Sequence, residues 1–155
     1  MDKFLVGERL LLTLWVGGML AIGYMVAPTL FHTLDDRQLA GMLAGQMFKI
    51  IYYVGLFSTS VLLLTLLINQ GAAVVKHWRT WVLALAFILI VVGVFVLQPA
   101  MQDVKAQGII EGSEQAKQFA KLHGVSSAMY LVTSLCGLVL VIFGLRGKDV
   151  TSKTV

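Results

Sequence analysis

Four stretches of this chain carry no Asp, Glu, Lys or Arg: residues 10–31, 50–68, 80–97 and 125–145. They are 22, 19, 18 and 21 residues long. A helix needs about 20 apolar residues to cross the hydrocarbon of a bilayer. No water reaches that region, so each stretch must satisfy its own backbone groups, and a helix does so. The runs therefore predict an all-α, integral membrane four-helix bundle. Composition agrees. Charged residues make up 13% of the chain, against roughly 25% in soluble domains. At 155 residues and 58% hydrophobic content, a soluble core could not hide the apolar surface. One four-span domain with a polar C-terminal tail, 146–155, accounts for the whole length. The first run exceeds the roughly 7–15 residues of a signal-peptide core, and no Ala-x-Ala site follows it, so it reads as a retained span.

The charges suggest an orientation. Lys3, Arg9, Lys76, Arg79, Arg146, Lys148 and Lys153 fall on one side, and Arg37, Lys49, Lys105, Lys117 and Lys121 on the other. The excess of basic residues with the short hinge and the termini predicts both termini in the cytoplasm, in a bacterial inner membrane. The net charge of +4 is scattered and forms no basic stripe, so nucleic acid is not an expected partner. The lipid bilayer is the expected partner, together with further copies of the chain. Cys136 stands alone and excludes an internal disulfide.

The spans alternate with two kinds of connection. The short hinge at residues 69–79 makes spans two and three antiparallel neighbours, and its Lys76, His77, Trp78, Arg79 and Trp81 suit a membrane interface. The two outer connections carry helical extensions of their own. Thr33 and Asp36, spaced as in a capping box, predict a helix start. Leu39, Met42, Leu43 and Met47 then recur at helical spacing and lead into span two. Ser113 predicts a second cap, and Ala116, Phe119, Ala120 and His123 share a face leading into span four. The glycines at 108 and 112 suit the linker before it.

A weak repeat underlies this order. Pro28 precedes Phe48 by 20 residues, and Pro99 precedes Phe119 by 20, so a shift of 71 superposes both pairs. Each proline predicts the end of its span, because it cannot donate to the carbonyl four residues back, here Tyr24 and Phe95. If the repeat is real, the halves have parallel topology about an axis along the membrane normal.

Candidate site residues follow from this arrangement. His32 and His123 are both predicted at the outer face, where imidazoles could ligate copper or haem, with Met25, Met42, Met47 and Met101 at similar depth. No His-x-x-His, Met-x-x-Met or Cys-x-x-Cys spacing supports them. His123 shares a face with Phe119, Ala120, Ser126, Ser127 and Tyr130, a small-residue face suited to close helix contact. Tyr52, with Tyr24, Tyr53 and several Ser and Thr residues, places hydroxyls within the spans. The candidate positions are Pro28, Phe31, Phe48, Tyr52, Pro99, Phe119, His123 and Ser126, with His123 and His32 as metal candidates. No charged side chain is predicted at mid-membrane depth, which counts against a proton-driven carrier. No nucleophile with its base, phosphate loop or nucleotide fingerprint appears, so an enzyme is not expected.

The segments "LWVGGMLAIGYMVAPTLF", "LAGMLAGQMF", "QPAM" and "FAKLHGVSS", in that order, resemble the transmembrane-protein-205-like family of small four-helix membrane proteins. Position by position, the resemblance marks Trp15, Gly17, Gly18, Pro28, Phe31, Ala40, Gly41, Phe48, Pro99, Leu122, His123, Gly124 and Ser126. It implies a four-span membrane domain without an assigned activity, and a link to soft-metal handling or membrane trafficking. The expected function is a non-enzymatic membrane component for binding, packing or assembly. The alternatives are a haem- or copper-binding redox or resistance protein, and a small transporter or channel subunit.

Overall fold

The computed structural model describes residues 3–109 and 112–145. The tail 146–155, with Arg146, Lys148 and Lys153 of the orientation argument, lies outside the described residues. Helix α1, residues 3–33, is α-helical at Lys3–Ala21, widens into a π-helical turn at Ile22–Val26, and resumes as Ala27–Thr33. Helix α2 is Arg37–Gln70, continued by a tight turn, Gly71–Lys76. Helix α3, Trp78–Ala106, has its own π-helical turn at Gly93–Leu97. Helix α4 is Glu114–Phe143. All four are long and apolar enough to cross a membrane. The described residues form no strand, and the chain is an all-helical, multi-pass membrane protein.

Each helix packs on its neighbours in sequence, and α4 closes back on α1. The bundle therefore has two ends. The hinge end holds the α2–α3 turn, and the proline end holds both Pro28 and Pro99. At the centre, Trp15 is 0% exposed. It fits because α2 offers a glycine: a Cβ on Gly55 would lie 2.7 Å from the Trp15 Nε1. Gly137 likewise admits Val16, and Gly18 admits the end of Ile51. Small residues let the backbones approach, which is the main means of helix association in lipid. The buried hydroxyls of Thr59, Thr133 and Ser134 donate to their own helices, at Gly55, Met129 and Tyr130 carbonyls. They enter the core without needing a partner across it.

The prolines do not end their helices. Helix α1 runs five residues past Pro28, and α3 runs seven past Pro99. The physical reason is the wide turn before each proline. Ala27 N–H donates to the Ile22 carbonyl, and Gln98 N–H to the Gly93 carbonyl, five residues back in both cases. The extra residue relieves the clash that a proline ring makes with the turn below it. Ending the helix inside hydrocarbon would strand carbonyls; widening one turn does not. The Thr29 hydroxyl adds a 2.6 Å bond to the Met25 carbonyl beside Pro28.

The caps are also partly different from expectation. Asp36, not Thr33, starts α2: its carboxylate accepts from Gln38 N–H at 2.8 Å and Leu39 N–H at 3.1 Å. Thr33 is instead the last residue of α1. A carboxylate at a helix start also meets the positive end of the helix dipole, which a hydroxyl does less well. Ser113 does cap α4, accepting from Ala116 N–H at 3.2 Å. At the hinge end, Trp81 donates to the Val75 carbonyl at 2.9 Å, the Arg79 guanidinium lies over the Trp78 ring, and Trp78 meets Phe143 edge to face.

Candidate functional site

The two π-helical turns stand 71 residues apart, Ile22–Val26 and Gly93–Leu97. Each is followed by a proline at the same distance. The repeat that two prolines and two phenylalanines suggested is thus present in the backbone itself.

Each wide turn receives a tyrosine from the other half. A Cβ on Gly23 would overlap the ring of Tyr130, which comes from α4. The Tyr130 hydroxyl donates to the Met19 carbonyl at 2.6 Å, just before the wide turn. A Cβ on Gly93 would lie 2.9 Å from the ring of Tyr52, which comes from α2. The Tyr52 hydroxyl is turned to the Ser126 side chain on α4. Glycine is required at both places because the rings rest on backbone. Phe48 and Tyr52 meet Tyr130 edge to face, at 5.1 and 6.1 Å between centroids, and Tyr24 lies 6.4 Å from it. Edge-to-face pairs set the positive rim of one ring on the negative face of the next. Tyr130 is thus the centre of an aromatic cluster that ties α1, α2 and α4 together below the proline end.

The sequence candidates divide around this cluster. Tyr52, Phe48 and Ser126 belong to it. Pro28 and Pro99 flank it on exposed helix faces. Phe31 is exposed at the end of α1, its ring tip 3.7 Å from where a Cβ on Gly41 would stand. Phe119 and His123 form a separate stack one level further out, with ring centroids 6.0 Å apart and planes at 14°. His32 and His123 lie at the same end of the bundle. The register that sets Val16 against Gly137 and Gly23 against Tyr130 places His123 level with Leu30. Both imidazoles are exposed, and among the described residues no group of three or more His, Cys, Asp or Glu comes together.

Sequence reading placed Tyr130 only on the face of His123 and did not single out Gly23 or Gly93. The signal was available: a glycine shortly before a proline, in matching apolar runs of the two halves. It also passed over Glu8, which is 6% exposed near the start of α1, at the hinge end. Its position two residues before the charge-free run concealed that it turns inward.

Four apolar helices, two of them widened and proline-bearing at corresponding positions, define a multi-pass helical membrane protein built from two halves. A family model described as a domain of unknown function (DUF4149) matches residues 10–109. That is more than half of the chain, and the chain belongs to this family. The matched region holds both wide turns, both prolines and Tyr52, and it ends before α4 with Tyr130, Phe119 and His123. No curated protein and no solved structure matches the chain.

Proposed function

We propose that this protein is a non-enzymatic membrane component that binds an apolar or amphipathic molecule at the seam between its halves. The observation that carries the reading is the reciprocal packing of Tyr130 on Gly23 and Tyr52 on Gly93. Matched helix interruptions in two repeats mark the region where membrane proteins of repeated architecture hold their ligands. The rings of Tyr24, Phe48, Tyr52 and Tyr130 supply aromatic faces there, and the Tyr52 and Ser126 hydroxyls supply polar contacts. Photoaffinity labelling of the purified chain in nanodiscs, with a photoreactive lipid analogue, tests it. Labels should concentrate on peptides holding residues 24, 48–52 and 126–130. Labels spread evenly over the lipid-facing surface would overturn it.

A transporter or channel subunit is the second reading. What favours it is that both wide turns lie at one level of the bundle, where π-helical turns and prolines let helices bend. Solute flux in proteoliposomes that falls in a Gly93→Leu variant would support it, and absence of flux for every solute tried would count against it. The haem or copper reading gains no support from the exposed His32 and His123, which no further Cys, Asp or Glu joins in a group of three among the described residues. The likeness to the transmembrane-protein-205-like family fits the four-helix plan. The basic pair Lys76 and Arg79 supports a cytoplasmic hinge end.

A further inference from the structure

Lys105 occupies an unusual position. It lies in the last turn of α3, half-buried, with its ammonium directed between α2 and α4. The Nζ stands 4.0 Å from where a Cβ on Gly45 would be, and 5.4 Å from the centre of the Phe119 ring. A side chain at position 45 would narrow this cleft, and glycine leaves it open. Lys49 is one helical turn along α2 from Gly45, on the same face, and His123 stacks on Phe119. Lys105 thus lines this mouth of the bundle, and Lys49 and His123 each stand one helical turn from a residue that lines it, Gly45 and Phe119.

Two acidic side chains at this end are engaged elsewhere, and Asp35 and Asp103 stand on exposed surface, away from the half-buried ammonium. Among the described residues the ion pair at this end joins Lys117 to Glu114 on exposed helix surface. The Asp36 carboxylate caps α2. The cation–π contact with Phe119 compensates part of the cost of holding an ammonium in a half-buried cleft, but a cation so placed still favours an anion. Depth indicates which anion. Lys49 is the last charged residue before the charge-free run 50–68, and Phe119 lies just outside the run 125–145. The cleft therefore sits at the edge of the hydrocarbon, where lipid phosphates lie. Phe48, three residues along α2 from Gly45 toward the span, continues the wall of the bundle toward the hydrocarbon.

We propose that the cleft of Lys105, Gly45 and Phe119, with Lys49 and His123 at its rim, binds the phosphate headgroup of an anionic phospholipid. Basic pockets between membrane helices recognise such headgroups by charge and by depth. This assignment does not depend on a ligand at the seam between the halves.

The test uses the full chain in phosphatidylcholine nanodiscs containing a minority of phosphatidylglycerol, with retained lipids counted by native mass spectrometry. The wild type should retain phosphatidylglycerol over phosphatidylcholine. Lys105→Gln should lower that retention about fivefold, the effect of one basic residue near the surface. Lys49→Gln, on exposed surface, should lower it less, and Lys105→Arg should restore it. Lys117→Gln should leave it unchanged. Equal retention in wild type and Lys105→Gln would overturn the proposal, as would an equal loss in Lys117→Gln. Displacement of the lipid by added inorganic phosphate would overturn the assignment to a lipid.

Discussion

The two halves of this protein place a wide turn and a proline at the same offset, yet they secure them differently. In the first half the turn Ile22–Val26 meets both the ring and, one turn earlier, the hydroxyl of Tyr130, which bonds the Met19 carbonyl at 2.6 Å. In the second half the turn Gly93–Leu97 receives the ring of Tyr52, whose hydroxyl is turned to the Ser126 side chain and bonds no helix carbonyl. The first turn is therefore anchored to α4 by a buried hydrogen bond and the second by packing alone. A repeat shared at the level of backbone has been specialised by its side chains. The bond to Met19 should make the first turn the more resistant of the two to rearrangement.

Four substitution pairs test that contrast, in descending order of effect. Gly23→Ala should destabilise the bundle by roughly 3 kcal/mol, since it expels the Tyr130 ring and its hydrogen bond together. Gly93→Ala, where the contact is looser, should lose roughly 1–2 kcal/mol. Equal losses in thermal unfolding in nanodiscs would erase the distinction between the halves. Next, Tyr130→Phe should lose about 1–1.5 kcal/mol by leaving the Met19 carbonyl without its donor. Tyr52→Phe should lose less, because the hydroxyl it removes makes no bond to a helix carbonyl. The same unfolding measurement, read as a difference between the variants, checks this.

The caps give a smaller contrast. Asp36→Ala should lose about 1 kcal/mol, because two N–H groups lose one acceptor. Ser113→Ala should lose about half as much, with a single N–H affected. Helical circular dichroism through the same melts would show it, and a larger loss for Ser113 would reverse the ranking. Last, Pro28→Ala and Pro99→Ala should each shift stability by under about 1 kcal/mol, but their backbones should respond differently. Tyr130 should hold the first turn wide without its proline, whereas the second should close to α-helix. Amide exchange along residues 22–29 and 93–100 distinguishes these outcomes. A first turn that closes would show that the proline, not the tyrosine, maintains it.

Much of the architecture was legible in the chain. The charge-free runs located four helices, Ser113 located the start of α4, and the spacing of Pro28, Phe48, Pro99 and Phe119 exposed the repeat. The prolines misled because the rule for a helix in water, that proline ends it, ignores what hydrocarbon imposes. Where no water can take up a freed carbonyl, the chain keeps its helix and adds a residue to the turn. The capping spacing at Thr33 misled in a smaller way, since both Thr33 and Asp36 are suited to a helix start and only the path of α1 decides between them.

The candidate site was less legible. Tyr52 was identified as a hydroxyl within a span, Phe48 through its spacing from Pro28 and Ser126 on the face of His123, but not as members of one cluster. Periodicity reports which face of a helix a residue shares, not which helix lies opposite. Tyr130 meets Gly23 because α4 closes the ring onto α1, a contact between residues more than a hundred positions apart. Lys105 lies between Gly45 and Phe119 because α3 packs on both α2 and α4.

By itself, then, the sequence determined the solvent and the elements. Long apolar runs can satisfy their backbones in a bilayer only as helices, and the order of hinge and linkers makes them alternate. What the tertiary structure decided was how the interruptions are used. Only packing of the halves could turn two glycines before two prolines into seats for opposing tyrosines, because the overlap that demands a glycine exists only once another helix arrives.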